Sequence, residues 1–364
     1  MPDIRLAGLS RRFGGITAVD DVSMTFPEGT VTCLLGPSGC GKTTLMRMIA
    51  GLETPSAGQI LFGTRDVTRL PPRRRDVGMV FQYPVMYRPL SVQDNIALAL
   101  RSEGKLSAAE RRDRLEEVLA VLALGDCRHQ HIGDLDSGTR QKVAVGRAIA
   151  RSCDVILFDE PTTNVEVNAK LQLIRAFKQF RQRFRQTIVY VTHDQTEAMT
   201  LADQIALMQD GRISQCTAPR ALYEQPDTEF GGWFLGSPGM NFLAPAGEHD
   251  GALFFDALPA PIACPAGGSG ALRMGIRPEY VGVLPSGPVR ARVLRRSITI
   301  GGQWLLTLAV GDTRLKAKLP ADQVHRIADE VAIEIPLEHA VFFRAGTRLA
   351  DAPRALLPER SQTP

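Results

Sequence analysis

The fold of this chain is decided by the stretch Gly36-Pro37-Ser38-Gly39-Cys40-Gly41-Lys42-Thr43. It follows the apolar run Val31–Leu35, which predicts a buried strand, and it precedes residues 44–50, which predict a helix. Glycines let backbone N–H groups point into such a loop, and a helix N-terminus adds partial positive charge. Lys42 can then reach the β- and γ-phosphates of a nucleotide, and the Thr43 hydroxyl can bind Mg²⁺. The sequence therefore predicts a nucleoside triphosphate site.

The composition limits the classes of protein to which the chain can belong. Its 364 residues are enough for two or three domains. A net charge of +4, from 43 Lys and Arg against 39 Asp and Glu, is too small to argue for nucleic acid as a partner. The six cysteines lack CxxC spacing, so neither a zinc site nor a disulfide framework is indicated. With no signal architecture and no apolar stretch of bilayer length, we expect a soluble cytosolic chain.

Strands and helices alternate up to about residue 235. Ser107 and Glu110 form a capping-box pattern that predicts a helix start within a long helical stretch. The strand candidates are apolar runs of four or five residues, as expected for a parallel sheet covered on both faces. They are Val31–Leu35, Val77–Phe81, Val155–Phe158, Ile188–Thr192 and Ile205–Met208. We therefore predict an α/β P-loop core over residues 1–235, with a helical subdomain inserted at about 84–150.

The pattern changes after Gly236, where Gly and Pro become frequent and short alternating runs replace helical periodicity. Val289–Ile300 and Trp304–Val310 flank a Gly-Gly pair, which predicts antiparallel strands joined by a tight turn. We predict a small all-β C-terminal domain, an OB-like barrel, over residues 236–352. Residues 353–364 are predicted to be a disordered tail.

Two acids follow the predicted strand Val155–Phe158. A buried strand that ends in Asp159 and Glu160 delivers carboxylates to the edge of the sheet where ligands bind. Asp159 is expected to hold Mg²⁺, directly or through water, and Glu160 to polarise the attacking water.

His193 and Gln82 also follow predicted strands. The imidazole of His193 would leave the sheet on the same side as Asp159, where it can contact a γ-phosphate. Gln82 can bind Mg²⁺ and orient water through a neutral side chain. Neither residue type carries this meaning alone, so both predictions depend on the phosphate loop upstream.

Together these motifs resemble the ATP-binding subunit of an ABC transporter, in the carbohydrate and polyol importer group that includes maltose, glycerol-3-phosphate and glycerol systems. Gly36–Thr44 resembles the Walker A loop, Gln82 the Q-loop and Val155–Glu160 the Walker B strand. His193 resembles the switch histidine, and Phe13 the aromatic residue that stacks on adenine.

The resemblance implies ATP and Mg²⁺ as cofactors and three sets of site residues. The catalytic set is Lys42, Glu160 and His193. The nucleotide-binding set is Phe13, Gly36, Pro37, Ser38, Gly39, Cys40, Gly41, Lys42, Thr43, Thr44, Gln82 and Asp159. The metal set is Thr43, Gln82 and Asp159.

The resemblance covers nearly the whole chain and also implies partners. Residues 236–242 and 275–279 resemble segments that lead into the accessory β-domain of this importer group. Tyr83–Asn95 corresponds to the surface that receives two transmembrane permease subunits, and residues 81–87 look closest to one of the two ATPase subunits of glycerol importers. The implied location is peripheral, on the cytoplasmic face of the bacterial inner membrane. An extracytoplasmic solute-binding protein takes part indirectly, and glycerol, glycerol-3-phosphate and sugars all stay open as solutes.

The chain departs from the family in its signature loop, Leu-Ser-Gly-Gly-Gln, which binds the γ-phosphate of the ATP held by a second ATPase subunit. The corresponding residues are Leu135, Asp136, Ser137, Gly138 and Thr139. Asp136 replaces the serine in this register, and a carboxylate beside phosphate oxygens is repulsive. An alternative register, with one residue deleted, would keep Ser137-Gly138 on the usual Ser-Gly.

The loop between subunits also differs, because Asn164-Val165-Glu166 stands where Asn-Leu-Asp is usual. We therefore hypothesise an asymmetric pair, in which a different ATPase subunit with an intact signature loop completes the active site of this chain. Two alternatives remain: a mainly regulatory, catalytically weak subunit, and a non-transport ABC ATPase. A small-molecule kinase is disfavoured because Gln82, His193 and the helical insert would have no role in it.

Overall fold

The contacts of the chain divide it into two units, Met1–Pro219 and Arg220–Pro364, and each is described by itself. The computed structural model describes residues 2–83, 85–101, 106–151, 153–163, 165–183, 186–264, 270–299, 301–321 and 328–350. Asn164 and the predicted tail at 353–364 lie outside these ranges. Within them, every helix is too short or too polar to cross a membrane.

The first unit alternates strands and helices as predicted. Its strands are β1 (Ile4–Phe13), β2 (Ile16–Phe26), β3 (Val31–Leu35), β4 (Ala57–Phe62), β5 (Arg65–Asp66), β6 (Val77–Val80), β7 (Val155–Asp159), β8 (Thr187–Thr192), β9 (Gln204–Gln209) and β10 (Arg212–Thr217). Its helices are α1 (Lys42–Ala50), α2 (Val92–Arg101), α3 (Ala108–Val121), α4 (Ser137–Ala150), α5 (Val167–Arg183) and α6 (Gln195–Leu201).

The central sheet has six strands in the order β10-β9-β3-β8-β7-β6. Strands β9, β3, β8, β7 and β6 run parallel, and β10 pairs antiparallel at one edge. Every residue of β3, β7 and β8 is buried, which explains why these strands are almost continuously apolar. All five predicted strands are therefore confirmed. Because they are parallel, their carboxyl ends meet at one edge, where the predicted site residues follow.

A second, antiparallel sheet of the first unit, in the order β2-β1-β4-β5, is not among the predicted strands. The pairing of β1 with β2 shifts register three times between Leu6 and Arg12. Each shift breaks the strict alternation of buried and exposed residues by which a strand is recognised in a sequence. Bulges therefore hid this sheet from the sequence analysis.

Helix termini agree well with the local sequence signals. Helix α1 ends at Gly51, which has the left-handed φ of 78° typical of a C-cap, and whose N–H donates to Met48 O at 3.1 Å. Helix α3 begins with the predicted capping box, in which the Ser107 side chain accepts from the N–H of Glu110 and the Glu110 side chain accepts from the N–H of Ser107. Helices α2, α3 and α4 lie within the predicted insert and pack against one another.

The second unit is built almost entirely of antiparallel strands around one apolar core, as predicted. Among its described residues lie the short helices α7 (Pro219–Glu224), which begins at the last residue of the first unit, and α8 (Glu229–Phe234). Its strands are β11 (Asn241–Leu243), β12 (Gly247–His249), β13 (Ala252–Phe254), β14 (Ile262–Ala263), β15 (Leu272–Ile276), β16 (Gly282–Leu284), β17 (Val289–Ile298), β18 (Trp304–Val310), β19 (Thr313–Leu319), β20 (Glu330–Glu334), β21 (Val341–Arg344) and β22 (Thr347–Arg348). They form three sheets, with orders β11-β15-β21-β22, β12-β13-β14 and β16-β20-β17-β18-β19.

The division between the units falls earlier than residue 235, where the sequence predicts the domain boundary. Arg277 is buried and donates to the carbonyl oxygens of Tyr223, Gly232 and Leu235. These bonds tie the segment before residue 235 to the β-unit. The pairing of β11 with β15 likewise joins the two segments, 236–242 and 275–279, that the sequence analysis singled out.

Candidate functional site

The glycine-rich loop between β3 and α1 has a backbone path that side chains would block. An added Cβ at Gly36 would lie 2.2 Å from Met208 O, and one at Gly41 would lie 2.2 Å from Ala18 O. Gly41 also has a φ of 104°, which L-residues with a side chain rarely adopt. The two glycines are therefore required for the loop to pass close to neighbouring backbone.

The N-terminus of α1 is left open for an anion. Gly41 is its N-cap and has no side chain to bond the first N–H groups, and the first turn holds no acidic residue. Those N–H groups have no partner within the helix and carry the positive end of its dipole. Lys42 is only 4 % exposed, and its Nζ donates to Gly36 O at 2.9 Å and to Pro37 O at 2.8 Å. The buried ammonium group of Lys42 therefore lies in the same loop as the first N–H groups of α1.

Thr43 and Asp159 meet at the mouth of this loop. The Thr43 hydroxyl donates to Asp159 Oδ1 at 3.1 Å, which joins the start of α1 to the end of β7. Asp159 is buried, and this burial raises the pKa of its carboxyl, an effect that the Thr43 hydrogen bond and the charge of Arg47 oppose. A hydroxyl and a carboxylate are oxygen ligands of the kind that hard divalent cations prefer. Among the described side chains, no group of three or more His, Cys, Asp and Glu could hold a metal ion without further ligands.

Glu160 and His193 form a second contact pair at the same edge of the sheet. Glu160 Oε2 lies 3.2 Å from His193 Nδ1 and accepts from Thr163 Oγ1 at 3.0 Å. Glu160 has a left-handed φ of 44°, and its N–H donates to Val191 O at 3.0 Å. A non-glycine residue in this conformation costs free energy, and such residues cluster at functional sites. The backbone of β8 thus holds Glu160 in a conformation that it would not adopt by itself.

Phe13 and Gln82 lie apart from these contacts. Phe13 ends β1 with its ring 43 % exposed, and the guanidinium of Arg11 lies 4.4 Å from the ring centroid. Gln82 follows β6 and is partly buried. In the described part of the chain, its side chain forms no hydrogen bond with Thr43 or Asp159. The structure therefore brings together Lys42, Thr43, Asp159, Glu160 and His193, with Phe13 and Gln82 outside that set.

In the segment that corresponds to the signature loop, the carboxylate of Asp136 caps the N-terminus of α4. Asp136 is the N-cap of α4 and accepts from Thr139 N at 2.8 Å and from Thr139 Oγ1 at 2.6 Å. These hydrogen bonds lower the pKa of Asp136. Gly138 packs tightly, since an added Cβ would lie 2.6 Å from Ala169 Cβ. Ser137 is the first residue of α4 and Leu135 is buried before it. A negative charge therefore occupies the positive end of α4.

The segment that follows Gln82 presents apolar side chains to solvent. Tyr83 and Val85 are each more than 70 % exposed. Arg147 of α4 donates to Val85 O and lies 5.0 Å from the ring centroid of Tyr87. A groove of about 550 Å³ runs between this segment and helices α2 and α4. The segment is thus held in place by α4 while its apolar groups stay available.

The sequence analysis missed Thr163, which contacts Glu160, and Arg147, which contacts the exposed segment. It also missed Thr162 and Glu197, which bond to each other behind the site. Glu197 lies on α6, four residues after His193, and is fully buried. An acid at helical spacing from a histidine is common, so the sequence offered no signal. Thr162 and Thr163 follow the two acids of β7, and only proximity to those acids could have suggested them.

Comparison with known proteins places the chain among transport ATPases. Residues 19–163 match the family described as ABC transporter. An sn-glycerol-3-phosphate import ATP-binding protein of Chromohalobacter salexigens is 37 % identical over 362 residues, 96 % of this chain and 96 % of that protein. A sulfoquinovosyl glycerol transport ATP-binding protein of Agrobacterium fabrum is 34 % identical over 354 residues, 95 % of this chain and 99 % of that protein. An sn-glycerol-3-phosphate import ATP-binding protein of Ruegeria pomeroyi is 41 % identical over 293 residues, 80 % of this chain and 83 % of that protein.

Proposed function

The chain belongs to the ABC transporter family as an ATP-binding subunit, and from this premise we propose that its ATPase activity powers a membrane importer of a sugar, polyol or glycerol phosphate. Relatives that match nearly the whole chain are named for import of sn-glycerol-3-phosphate and transport of sulfoquinovosyl glycerol, which supports this solute class. The observation that carries the catalytic part of the proposal is the Glu160–His193 contact beside the phosphate loop.

Each residue of the site has a separate role in hydrolysis. The N–H groups at the start of α1 and the Lys42 ammonium bind the β- and γ-phosphates and stabilise charge that develops on the leaving oxygen. Glu160 accepts a hydrogen bond from the attacking water and orients it in line with the γ-phosphate. His193, whose Nδ1 lies 3.2 Å from Glu160 Oε2, contacts the γ-phosphate. Phe13 stacks on the adenine ring.

Thr43 and Asp159, together with Gln82, are the residues that would hold Mg²⁺. The oxygen ligands and the buried carboxylate fit a hard divalent cation, since a nearby cation would offset the cost of ionising Asp159 in a buried place. When bound, Mg²⁺ neutralises charge on the β- and γ-phosphate oxygens.

Glu160→Gln tests the catalytic assignment. The amide cannot accept the water proton, so turnover in the purified complex should fall by about a hundredfold or more, whereas the Kd for ATP stays within about twofold. Glu248→Gln is a matched control that neutralises an exposed acid on β12, in the second unit. Turnover close to wild type in Glu160→Gln would remove the assigned role, and it would favour the alternative of a mainly regulatory subunit if transport also persisted.

We propose that the exposed segment within Tyr83–Asn95 receives the permease subunits and places the chain peripherally on the cytoplasmic face of the inner membrane. Exposed aromatic and aliphatic groups beside a groove are suited to an inserted helix of a partner. Substituting Tyr83 and Val85 by Asp should release the chain from membranes that contain the permeases. Unchanged membrane co-purification would instead favour a non-transport ABC ATPase.

A second, different ATPase subunit is the proposed partner at the nucleotide site. Asp136 already neutralises the N-terminus of α4, and a γ-phosphate brought to the same place would meet a carboxylate. A partner with an uncharged signature loop would complete the active site of this chain without that repulsion. Mass spectrometry of the intact complex, purified in mild detergent through a tag on this chain, tests the pair. Two copies of this chain and no other ATPase would contradict it.

A further inference from the structure

Glu197 is a buried carboxylate outside the proposed catalytic and nucleotide-binding residues. It lies on α6, is 0 % exposed and receives four donors. Its Oε1 accepts from Thr162 Oγ1 and lies 2.7 Å from Lys170 Nζ. Its Oε2 accepts from Tyr190 OH at 3.1 Å and from Thr192 Oγ1 at 2.8 Å. A buried charge is tolerated only when it is paired and bonded in this way, so its four partners are fixed with respect to one another.

The donors come from three elements: the segment that leaves β7, the end of β8 and the start of α5. Thr162 belongs to the segment after β7, Tyr190 and Thr192 belong to β8, and Lys170 belongs to α5. Lys170 also pairs with Asp194, the N-cap of α6. Burial lowers the pKa of Lys170, but its hydrogen bonds to the two carboxylates raise it above its ordinary value. The lysine therefore stays charged and balances the buried carboxylate.

Two of these donors are chain neighbours of the groups that contact Glu160. Thr162 precedes Thr163, whose hydroxyl donates to Glu160 Oε2 at 3.0 Å. Thr192 precedes His193, whose Nδ1 lies 3.2 Å from the same oxygen. The contacts thus form a closed ring. It runs from Glu160 through Thr163 and Thr162 to the buried carboxylate of α6, and returns through Thr192 and His193.

We propose that Glu197 is a positioning residue for ATP hydrolysis. Through its bonds to Thr162 and Thr192 it fixes the positions of Thr163 and His193, the two side chains that contact Glu160. The inference rests on the proposed role of Glu160. Because Glu160 itself sits in a left-handed conformation, its carboxylate is directed by the segments on either side of it. Loosening either segment moves the carboxylate away from the line of attack, and small displacements of a catalytic group cost large factors in rate. The phosphate loop, which makes most of the nucleotide contacts, lies on other elements, so loosening the ring should change the affinity for ATP much less than the rate of hydrolysis.

The test compares three variants of the full chain in its purified membrane complex. Glu197→Ala removes all four contacts and should lower kcat by about tenfold or more, with the KM for ATP within about twofold of wild type. Glu197→Gln keeps the shape of the side chain, an acceptor for Lys170 and a donor for a hydroxyl, so kcat should stay within about threefold. Gln186→Ala is the matched control, because it removes a buried amide that donates to Cys153 O at 2.6 Å, away from the ring.

The inference is overturned by an unchanged kcat in Glu197→Ala, by a rise in KM as large as the fall in kcat, or by an equal loss in Gln186→Ala. If Glu197→Ala does not fold, the double variant Thr162→Val and Thr192→Val replaces it under the same criteria. A wild-type complex that does not hydrolyse ATP would instead contradict the proposed function. A wild-type complex and a Glu197→Ala complex of equal activity would contradict only the role of Glu197.

Discussion

Helices α1 and α4 begin with opposite solutions to the same physical problem. The first N–H groups of every helix lack partners within it, and the N-terminus carries partial positive charge. Helix α1 has Gly41 as its N-cap, with no side chain to bond those groups. Helix α4 has Asp136, whose carboxylate accepts from the N–H and the hydroxyl of Thr139. The N-terminus of α1 can therefore bind an external anion, whereas the N-terminus of α4 is already occupied by the Asp136 carboxylate.

A helix N-terminus can therefore bind an external anion only when its own N-cap residue leaves the first N–H groups without an acceptor. An uncapped end is less stable by itself and can be satisfied by a ligand, whereas a carboxylate cap stabilises the helix and excludes phosphate. The first arrangement suits the nucleotide that this chain binds. The second is the reason for proposing that α4 contributes little to a site on a partner. Four substitutions test this contrast and the residues around it.

Ser38→Asp should have the largest effect, because it brings a carboxylate to the open end. Ser38 is exposed in the loop before α1. A charge at this position should repel the phosphates and weaken ATP binding by about a hundredfold or more, as measured by nucleotide titration. The neutral isostere Ser38→Asn should bind ATP within about threefold of wild type. Equal Kd values for the two variants would show that charge does not control the open end.

Asp136→Ser removes the carboxylate from the N-terminus of α4 and restores the serine that is usual in the signature loop. Serine is as good an N-cap as aspartate, so stability should stay within about 0.5 kcal/mol. If the loop faces ATP held by a partner, the ATPase rate of the complex should rise by about threefold to tenfold. Asp134→Ser is the control, since it removes the same charge from an exposed residue that does not cap α4. A complex that contains only this chain, hydrolyses ATP fast and does not respond to Asp136→Ser would contradict the asymmetric pair.

Asp159→Asn should raise the stability of the nucleotide-free chain. Burial raises the pKa of Asp159, so the folded chain binds this proton more tightly than the unfolded chain does. Stability from this group therefore increases as pH falls through its folded-state pKa, and at pH 7 the ionised carboxyl is a cost. The amide should raise Tm by about 2 °C at pH 7, and the gain should vanish below about pH 3, which is under the unfolded-state pKa of about 3.9, so that both states are protonated.

Differential scanning calorimetry at the two pH values measures this gain, with Asp154→Asn, at the other end of β7, as the control. A Tm that falls in Asp159→Asn at pH 7 would contradict the proposed cost. ATP turnover should be lost in the same variant, which would place the acid among residues kept for activity rather than stability.

Ser107→Ala should have the smallest effect, because Ser107 caps α3, a helix whose N-terminus is not proposed to bind a ligand. Ser107 accepts from the N–H of Glu110 at the start of α3. Losing this bond should cost about 1 kcal/mol in urea denaturation and leave the ATPase rate unchanged. Ser107→Thr, which keeps the hydroxyl acceptor, should match wild type. A changed ATPase rate in Ser107→Ala would show that the end of α3 is coupled to the site.

Much of the fold could be predicted because the relevant signals are local. The parallel strands are short and apolar, the start of α3 has a capping box, and the β-unit shows alternating runs around Gly-Gly. The antiparallel sheet of β1 and β2 could not be predicted in the same way. Its register shifts destroy the alternation on which such predictions depend. The bonds of Arg277 to the segment before residue 235 could not be predicted either, because they join residues more than 40 positions apart.

The phosphate loop, the two acids at the end of β7 and the family could be read from the chain alone, because each depends on residues adjacent in the sequence. How those groups meet depends on the packing of the sheet. Glu160 takes its left-handed conformation from a bond to β8, and its carboxylate is flanked by Thr163 and His193. The buried Glu197 accepts from β8, from α5 and from the segment after β7, whose Thr162 is 35 positions away in the chain. Contacts of this kind arise only when parallel strands bring their ends to one edge, because burial makes each charge depend on partners from other elements.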